Sequence, residues 1–152
     1  MPIRTVLFAT DFSEGSQFVF RLASSIAGDY SARLVVATVA EPPPFVTYGE
    51  MEKAFQDPVG YKQEIQENLH RFRALDPKVK VEYRLEQGDP VNTILRLAQE
   101  YPVDLIVMGT HGRKGLGRLL MGSVAEAALR KAPCLVLTVR TPSVAKEAVE
   151  KA

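Results

Sequence analysis

Five short apolar segments, separated by more polar stretches, predict the strands of a buried sheet. They span residues 3–9, 33–40, 79–85, 104–108 and 134–139. Four of them are apolar almost throughout, which is typical of strands that are covered on both faces. The segment 79–85 instead alternates apolar with charged residues, and this alternation predicts a half-exposed strand at an edge of the sheet.

Apolar residues at helical spacing follow the first strand and predict a helix there. Ser13 is its predicted N-cap, and Gly28 is the predicted C′ residue that ends it. The segment 41–60 shows no sustained period, apart from a short helical piece around residues 51–55. A connection this long in a compact domain is usually functional or mobile.

Three further helices are predicted downstream. Helical spacing returns at residues 61–75 and is stopped by Asp76-Pro77, and another helix covers residues 124–131. Between them, Asp89 caps a helix that has Pro90 in its first turn. Strands and helices therefore alternate, which predicts an α/β fold: a single open, doubly wound, five-stranded parallel sheet with helices on both faces.

Composition narrows the class of protein. The 152 residues predict one domain, and the net charge of +1 provides no global field that would attract nucleic acid or an anionic membrane. Cys134 is the only cysteine, so no disulfide can form within the chain, which favours a reducing compartment. No signal-peptide layout and no apolar run of about 18 residues is present. A cytoplasmic protein without membrane or nucleic-acid partners is expected.

A glycine-rich, basic stretch lies between the fourth strand and the last helix. It contains Arg113, Lys114 and Arg118, no acidic residue, and half of the ten glycines of the chain: Gly109, Gly112, Gly115, Gly117 and Gly122. Glycines allow backbone amides to approach an anion closely, and a helix N-terminus carries partial positive charge. The stretch is therefore predicted to bind an anion such as phosphate, with a long turn that needs positive φ as the alternative interpretation.

Several nucleotide and catalytic motifs are absent. The phosphate-loop pattern G-x-x-x-x-G-K-[ST] does not occur, which argues against a fast ATPase or GTPase. Residues 9–13 read Ala-Thr-Asp-Phe-Ser rather than G-x-G-x-x-G, and no G-x-S-x-G nucleophile elbow is present. With two histidines and one cysteine, a zinc cage is not expected. No catalytic residue is assigned, and metal ligands are not identified.

The spacing G-x2-G-x9-G-[ST] is matched in full by Gly109, Gly112, Gly122 and Ser123. In this glycine spacing, and in its sequence over residues 3–140, the chain resembles the ATP-binding branch of the universal stress protein family. The resemblance implies a Rossmann-like fold of the adenine-nucleotide-hydrolase type with strand order 3-2-1-4-5. It implies a nucleotide-binding domain at residues 1–140, followed by a polar tail at residues 141–152.

The resemblance also implies a binding site. Ala9 and Val39 would line the adenine end, and Asp11 would lie near the ribose or the phosphates. Residues 108–115 would wrap the ribose and phosphate chain, while the start of the last helix would hold phosphates through amides and a hydroxyl. The expected nucleotide-binding residues are Ala9, Thr10, Asp11, Val39, Met108, Gly109, Thr110, His111, Gly112, Arg113, Lys114, Gly115, Gly122, Ser123, Val124 and Ala125.

Three functions are compatible with these observations. The first is a cytoplasmic, dimeric stress-response regulator that binds ATP (or ADP or AMP) with Mg²⁺ and hydrolyses it slowly at most. The second is a nucleotide-processing enzyme of the related hydrolase fold, and the third is an interaction module without nucleotide. In the family, dimers commonly pair their last strands, which here implies a homodimer through Leu135–Val139.

Overall fold

The computed structural model describes residues 2–40, 48–110 and 122–141. The predicted tail at residues 141–152 lies outside the described residues apart from Thr141. In chain order the elements are β1 (Thr5–Ala9), α1 (Ser16–Tyr30), β2 (Arg33–Ala40), α2 (Tyr48–Gln56), α3 (Pro58–His70), β3 (Val81–Gln87), α4 (Pro90–Glu100), β4 (Leu105–Gly109), α5 (Ser123–Lys131) and β5 (Leu135–Val139). Among the described helices, none is both long and apolar enough to cross a membrane.

All five strands are parallel and pair in the order β3-β2-β1-β4-β5, which confirms the predicted fold class. The chain moves outward from β1 through β2 to β3, and then crosses back to β4 on the other side of β1. Strand order therefore reverses between β1 and β4, and all the strands end at the same edge of the sheet. The alternating segment forms β3 at one edge, as its pattern predicts.

Each face of the sheet is covered by two helices. On one face α1 and α3 enclose an aromatic cluster in which the ring centroids of Phe8 and Phe20 are 5.4 Å apart, and those of Phe8 and Phe72 are 5.2 Å apart. On the other face α4 and α5 pack on Leu7 and Ile106. Leu7 and Phe8 enter different cores because successive side chains of a strand point to opposite faces.

Both predicted ends of α1 are wrong. The N-cap is Gly15, at φ 88°, instead of Ser13. Gly28 lies inside the helix, which continues to Tyr30 and ends at Ser31 with φ 53°. The Ser31 amide donates to the Gly28 carbonyl (3.3 Å), so the left-handed residue falls three positions later than the glycine suggests.

The segment before β3 also differs from its prediction. The short helical piece is a full helix, α2, and the Asp57 carboxylate then caps α3 by accepting from the Gly60 amide (3.0 Å). α3 ends at His70, before Asp76-Pro77, because Phe72 enters the aromatic core from a position beyond the helix. Residues 41–47, at the start of this connection, lie outside the described residues.

Candidate functional site

A cavity of about 940 Å³ lies at the carboxyl edge of the sheet. Its walls come from the β1–α1 turn, the end of β2, the inner faces of α2 and α3, the start of α4, the end of β4 and the start of α5. Small-molecule sites in proteins usually measure about 300–1,000 Å³ and lie where strand order reverses in open α/β sheets. The cavity therefore has the place and the size of a small-molecule site.

The structure brings every described member of the expected set to this cavity. These residues are Ala9, Thr10, Asp11, Val39, Met108, Gly109, Thr110, Gly122, Ser123, Val124 and Ala125. The other expected residues, His111, Gly112, Arg113, Lys114 and Gly115, lie outside the described residues. The structure shows that these residues line the cavity, and their role in binding stays a prediction.

The strand ends form an apolar floor. Ala37 and Met108 are buried, and Ala9 and Val39 are partly buried against the core beneath α4 and α5. Ile94 of α4 extends this surface. Such a floor suits the flat, weakly polar face of an aromatic ring, because covering it removes apolar area from water.

The turn between β1 and α1 is fixed by its own hydrogen bonds. The Thr10 amide donates to the Ala37 carbonyl (2.9 Å), and the Thr10 hydroxyl accepts from the Phe12 amide (3.0 Å). An Asp11 carboxylate oxygen accepts from the Ser13 amide (2.9 Å), an Asx-type turn that holds the carboxylate at the cavity wall. Asp11 is thus a turn-forming residue, and the same contact fixes its position for a ligand.

The first turn of α5 presents backbone amides to the cavity. Its N-cap, Gly122, has φ −60° and ψ 150°, and no side chain among the described residues caps this helix end. The first helical hydrogen bond runs from the Glu126 amide to the Gly122 carbonyl (3.0 Å), so the amides of residues 123–125 have no acceptor within the helix. All three residues line the cavity. This arrangement is suited to an anion.

The start of α4 differs, although it lines the same cavity. The Asp89 carboxylate accepts from the Asn92 amide (2.9 Å), and Pro90 occupies the first turn, both as predicted. A carboxylate at this end already satisfies an amide and offsets the partial positive charge of the helix terminus. An anionic ligand is therefore favoured at α5 over α4.

The two ends of the glycine-rich stretch meet in space. The Gly122 amide donates to the Thr110 carbonyl (2.5 Å), and the Thr110 amide donates to the Val139 carbonyl of β5 (3.0 Å). Gly109 and Gly122 are therefore both held at the cavity although twelve residues separate them in the sequence. The described ends of the glycine-rich stretch are thus joined to each other and to β5 by hydrogen bonds.

One wall of the cavity was not anticipated from the sequence. It consists of Glu50 and Lys53 on α2 and of Tyr61, Glu64, Ile65 and Asn68 on α3. The sequence pattern predicts Tyr61 and Ile65 only as members of an apolar helical stripe and assigns no role to Glu64 or Asn68. The polar residues Glu64 and Asn68, beside Tyr61 and Ile65 on the same helix face, were the feature of the sequence that could have indicated a cavity wall.

The described part of the cavity wall is acidic. It carries one ammonium group, that of Lys53, and five carboxyl groups, those of Asp11, Glu14, Glu50, Glu64 and Asp89. Within residues 2–40, 48–110 and 122–141, no group of three or more His, Cys, Asp or Glu side chains could hold a metal ion. A cation at this site would need ligand atoms from elsewhere, such as phosphate oxygens.

A parallel sheet with a cavity at its switch point and a helix N-terminus facing that cavity defines a doubly wound α/β domain with a candidate small-molecule site. The sequence profile of the universal stress protein family matches residues 2–140, and the chain belongs to this family.

Relatives and solved structures agree with that assignment. A universal stress protein from Methanocaldococcus jannaschii is 34% identical over 144 residues, which cover 91% of this chain and 83% of the relative. A universal stress protein crystallised in complex with cAMP is 30% identical, with a TM-score of 0.63 and coverage of 93% of this chain and 100% of its own. UspA from Lactobacillus plantarum, at 24% identity, TM-score 0.74 and coverage of 92% and 99%, shares the fold.

Proposed function

We propose that this universal stress protein is a cytoplasmic, homodimeric regulator that binds ATP in the cavity at the carboxyl edge of its sheet. The observation that carries the proposal is the uncapped first turn of α5, where Gly122 and Ser123 face a cavity that has an apolar floor at the strand ends. The first turn of α5 suits phosphate, and the apolar floor suits adenine. The cAMP complex of a relative supports an adenine nucleotide as the ligand class.

In this proposal the nucleotide lies along the strand ends. Adenine rests against Ala9 and Val39, and Asp11 lies near the ribose or the phosphates. The amides of residues 123–125 and the Ser123 hydroxyl hold phosphate oxygens, as free amides at a helix start do. Residues 108–115 wrap the ribose and the phosphate chain. Mg²⁺ is carried by the phosphate oxygens, since Mg²⁺ is usually held by one or two carboxylates plus phosphates of the ligand.

Gly122 is the key residue of the phosphate end. Its extended backbone is open to any L-residue, so the conformation alone does not require glycine there. Close approach of an anion does favour glycine, because a side chain would occupy the space next to the amides. The absence of a conformational demand supports a ligand-related role for this glycine.

Regulation rather than rapid catalysis is proposed for the bound nucleotide. The phosphate-loop lysine motif is absent from the sequence, and the described cavity residues include no histidine that could act as a general base. Slow hydrolysis, at most, is expected. Turnover of Mg-ATP at several per second would instead favour a nucleotide-processing enzyme.

The proposed homodimer forms through β5. This strand is at an edge of the sheet, and its residues Val136 and Leu137 are only partly buried. The Leu135 amide donates to the Asp104 carbonyl, and the Val139 carbonyl accepts from the Thr110 amide, so these residues bond toward β4. Because residues of a parallel strand alternate between its two sides, the N–H groups of Val136 and Thr138 point away from β4. An edge that no other described strand pairs with, and whose N–H groups point outward, supports pairing with a second copy of the same strand.

The direct test is to denature the purified protein, identify any released nucleotide by mass spectrometry, and titrate the nucleotide-free protein with ATP, ADP and AMP by calorimetry. We expect an adenine nucleotide to bind. No released nucleotide, together with no binding in the presence of Mg²⁺, would falsify the proposal.

Gly122→Val tests the phosphate end specifically. The β-branched side chain should reduce ATP affinity at least about tenfold, while far-UV circular dichroism and the unfolding midpoint stay close to those of the wild type. Gly49→Val is the matched control, because Gly49 is exposed on α2 and a Cβ there meets nothing within 4 Å. Equal ATP affinity in Gly122→Val and the wild type would show that the start of α5 does not hold the phosphates.

A further inference from the structure

The cavity wall formed by α2 carries charge that the proposed function does not yet use. Among the described residues that line the cavity, Lys53 is the only cation and faces it together with five carboxyl groups. Like charges repel strongly where water is partly excluded, so these carboxylates oppose the entry of an anion. A cationic side chain on this wall therefore favours the entry of anionic ligands.

Lys53 lines the cavity from α2, and its side chain is also exposed to solvent. Glu50 and Lys53 are three residues apart, so they share one face of the helix, and both line the cavity. Tyr48 and Phe55 lie on the opposite face and are 77% and 74% exposed. The orientation of α2 thus places its polar face toward the cavity and its aromatic residues toward solvent.

The Lys53 ammonium has no competing partner within the part of the chain that the structure describes. It makes no salt bridge or hydrogen bond there, whereas Arg84, Arg96 and Arg130 are all paired with glutamates. An ammonium group that is already neutralised gives little attraction to a ligand, and an unpaired one gives more. Lys53 is therefore available to an anion that enters the cavity.

We infer that Lys53 is a specificity-determining residue that binds the phosphate chain of the nucleotide from the α2 side of the cavity. This inference rests on the proposed function, because it requires that a nucleotide occupies the cavity. It adds that the anionic part of the ligand is held between the α5 amides and one α2 side chain. Adenosine, which lacks phosphate, gains nothing from Lys53.

A second consequence concerns α2 itself. The helix has no buried residue, and its main packing partner is α3. A contact between Lys53 and phosphate would tie α2 across the cavity, so ATP should slow amide hydrogen exchange in Tyr48–Gln56. Local opening of a helix without buried side chains is otherwise easy, which makes this protection measurable.

The test compares Lys53→Gln, Lys53→Arg and Lys62→Gln by titration with Mg-ATP and with adenosine, at low salt and at about 0.5 M NaCl. Lys62 is an exposed α3 lysine outside the cavity lining, so Lys62→Gln makes the same charge change away from the site. We expect Lys53→Gln to weaken ATP binding about three- to tenfold at low salt, with Lys53→Arg and Lys62→Gln close to the wild type. The loss should shrink at high salt, and adenosine affinity should not change.

The outcomes separate the two proposals. If the wild type binds no nucleotide, the proposed function and the role of Lys53 both fail. If the wild type binds ATP and Lys53→Gln binds it equally well, or loses ATP and adenosine affinity in equal measure, only the role of Lys53 is overturned. ATP-dependent exchange protection of α2 that is reduced in Lys53→Gln supports the contact, and protection that is unchanged in this variant contradicts it.

Discussion

The Asp104 carboxylate joins two strands that are far apart in the chain. One of its oxygens accepts from the amides of Arg4 (2.8 Å) and Thr5 (3.0 Å), up to 100 positions away. The Asp104 amide donates to the Thr5 carbonyl (2.9 Å). The sequence showed Asp104 only as the polar start of an apolar segment, since its partners become visible only when β1 and β4 are paired.

Asp104→Ala should therefore destabilise the fold. Removing the carboxylate leaves two amides at the start of β1 without their acceptor, and we expect a loss of about 1–3 kcal/mol in the free energy of unfolding. Urea denaturation followed by circular dichroism measures it. Asp76→Ala is the control, because within the described residues the Asp76 carboxylate accepts only from the exposed Lys78 amide (2.9 Å) of a local turn. A loss no larger than that of the control would contradict the bridging role.

Cys134 also shows how far a residue can be judged from the sequence. Its apolar segment predicts a small core residue; Cys134 does pack against the core beneath α4 and α5, but it is only partly buried. Burial raises the pKa of its thiol, and the nearby Asp104 charge raises it further. The local apolar run predicted the core contact, but the degree of exposure depends on neighbours distant in sequence.

At the scale of elements, the sequence predicted those helices and strands that bury a face. β2 begins and ends at the predicted residues, and the caps of α4 are those expected from Asp89 and Pro90. α2 was seen only as a fragment because it has no buried residue, and periodicity reports burial. The C-terminal end of α1 differs from its prediction because a left-handed residue need not be glycine, as Ser31 shows.

The β5 edge provides a prediction at this scale. Thr138→Pro removes an N–H that points away from β4, so the monomer fold should persist while pairing between two β5 strands is lost. By size-exclusion chromatography with light scattering we expect Thr138→Pro to be a monomer and the wild type to be a dimer. Thr138→Val keeps the N–H and a similar side-chain volume, and it should remain dimeric. If the Thr138→Pro protein is still a dimer, the dimer interface does not lie at the β5 edge.

At the scale of the whole molecule, the cavity collects segments from nearly the full length of the chain. Its charge is a property of that assembly, with five carboxyl groups and one ammonium group among the described lining residues. No single segment of the sequence reveals this balance. The overall charge of +1 conceals it, because the basic residues are distributed elsewhere.

The acidic wall predicts that ATP binding depends on a divalent cation. Without Mg²⁺ the triphosphate meets the carboxylates with its full charge, so chelation with EDTA should weaken ATP affinity about tenfold or more. Adenosine affinity should be unaffected. Calorimetry in matched buffers, with NaCl added to keep the ionic strength constant, makes the comparison. Equal ATP affinity with and without Mg²⁺ would show that other groups neutralise the phosphates.

The sequence by itself determined the alternation of strands and helices, the edge position of β3 and the glycine spacing that marks Gly109 to Ser123. These features are local, because apolar periodicity and turn residues act through neighbours in the chain. Only the tertiary structure decided that α2 and α3 form a cavity wall, that Lys53 faces five carboxyl groups, and that Thr110 and Gly122 close one loop. Those relations depend on how parallel strands bring their carboxyl ends to one edge, which joins residues that no sequence spacing connects.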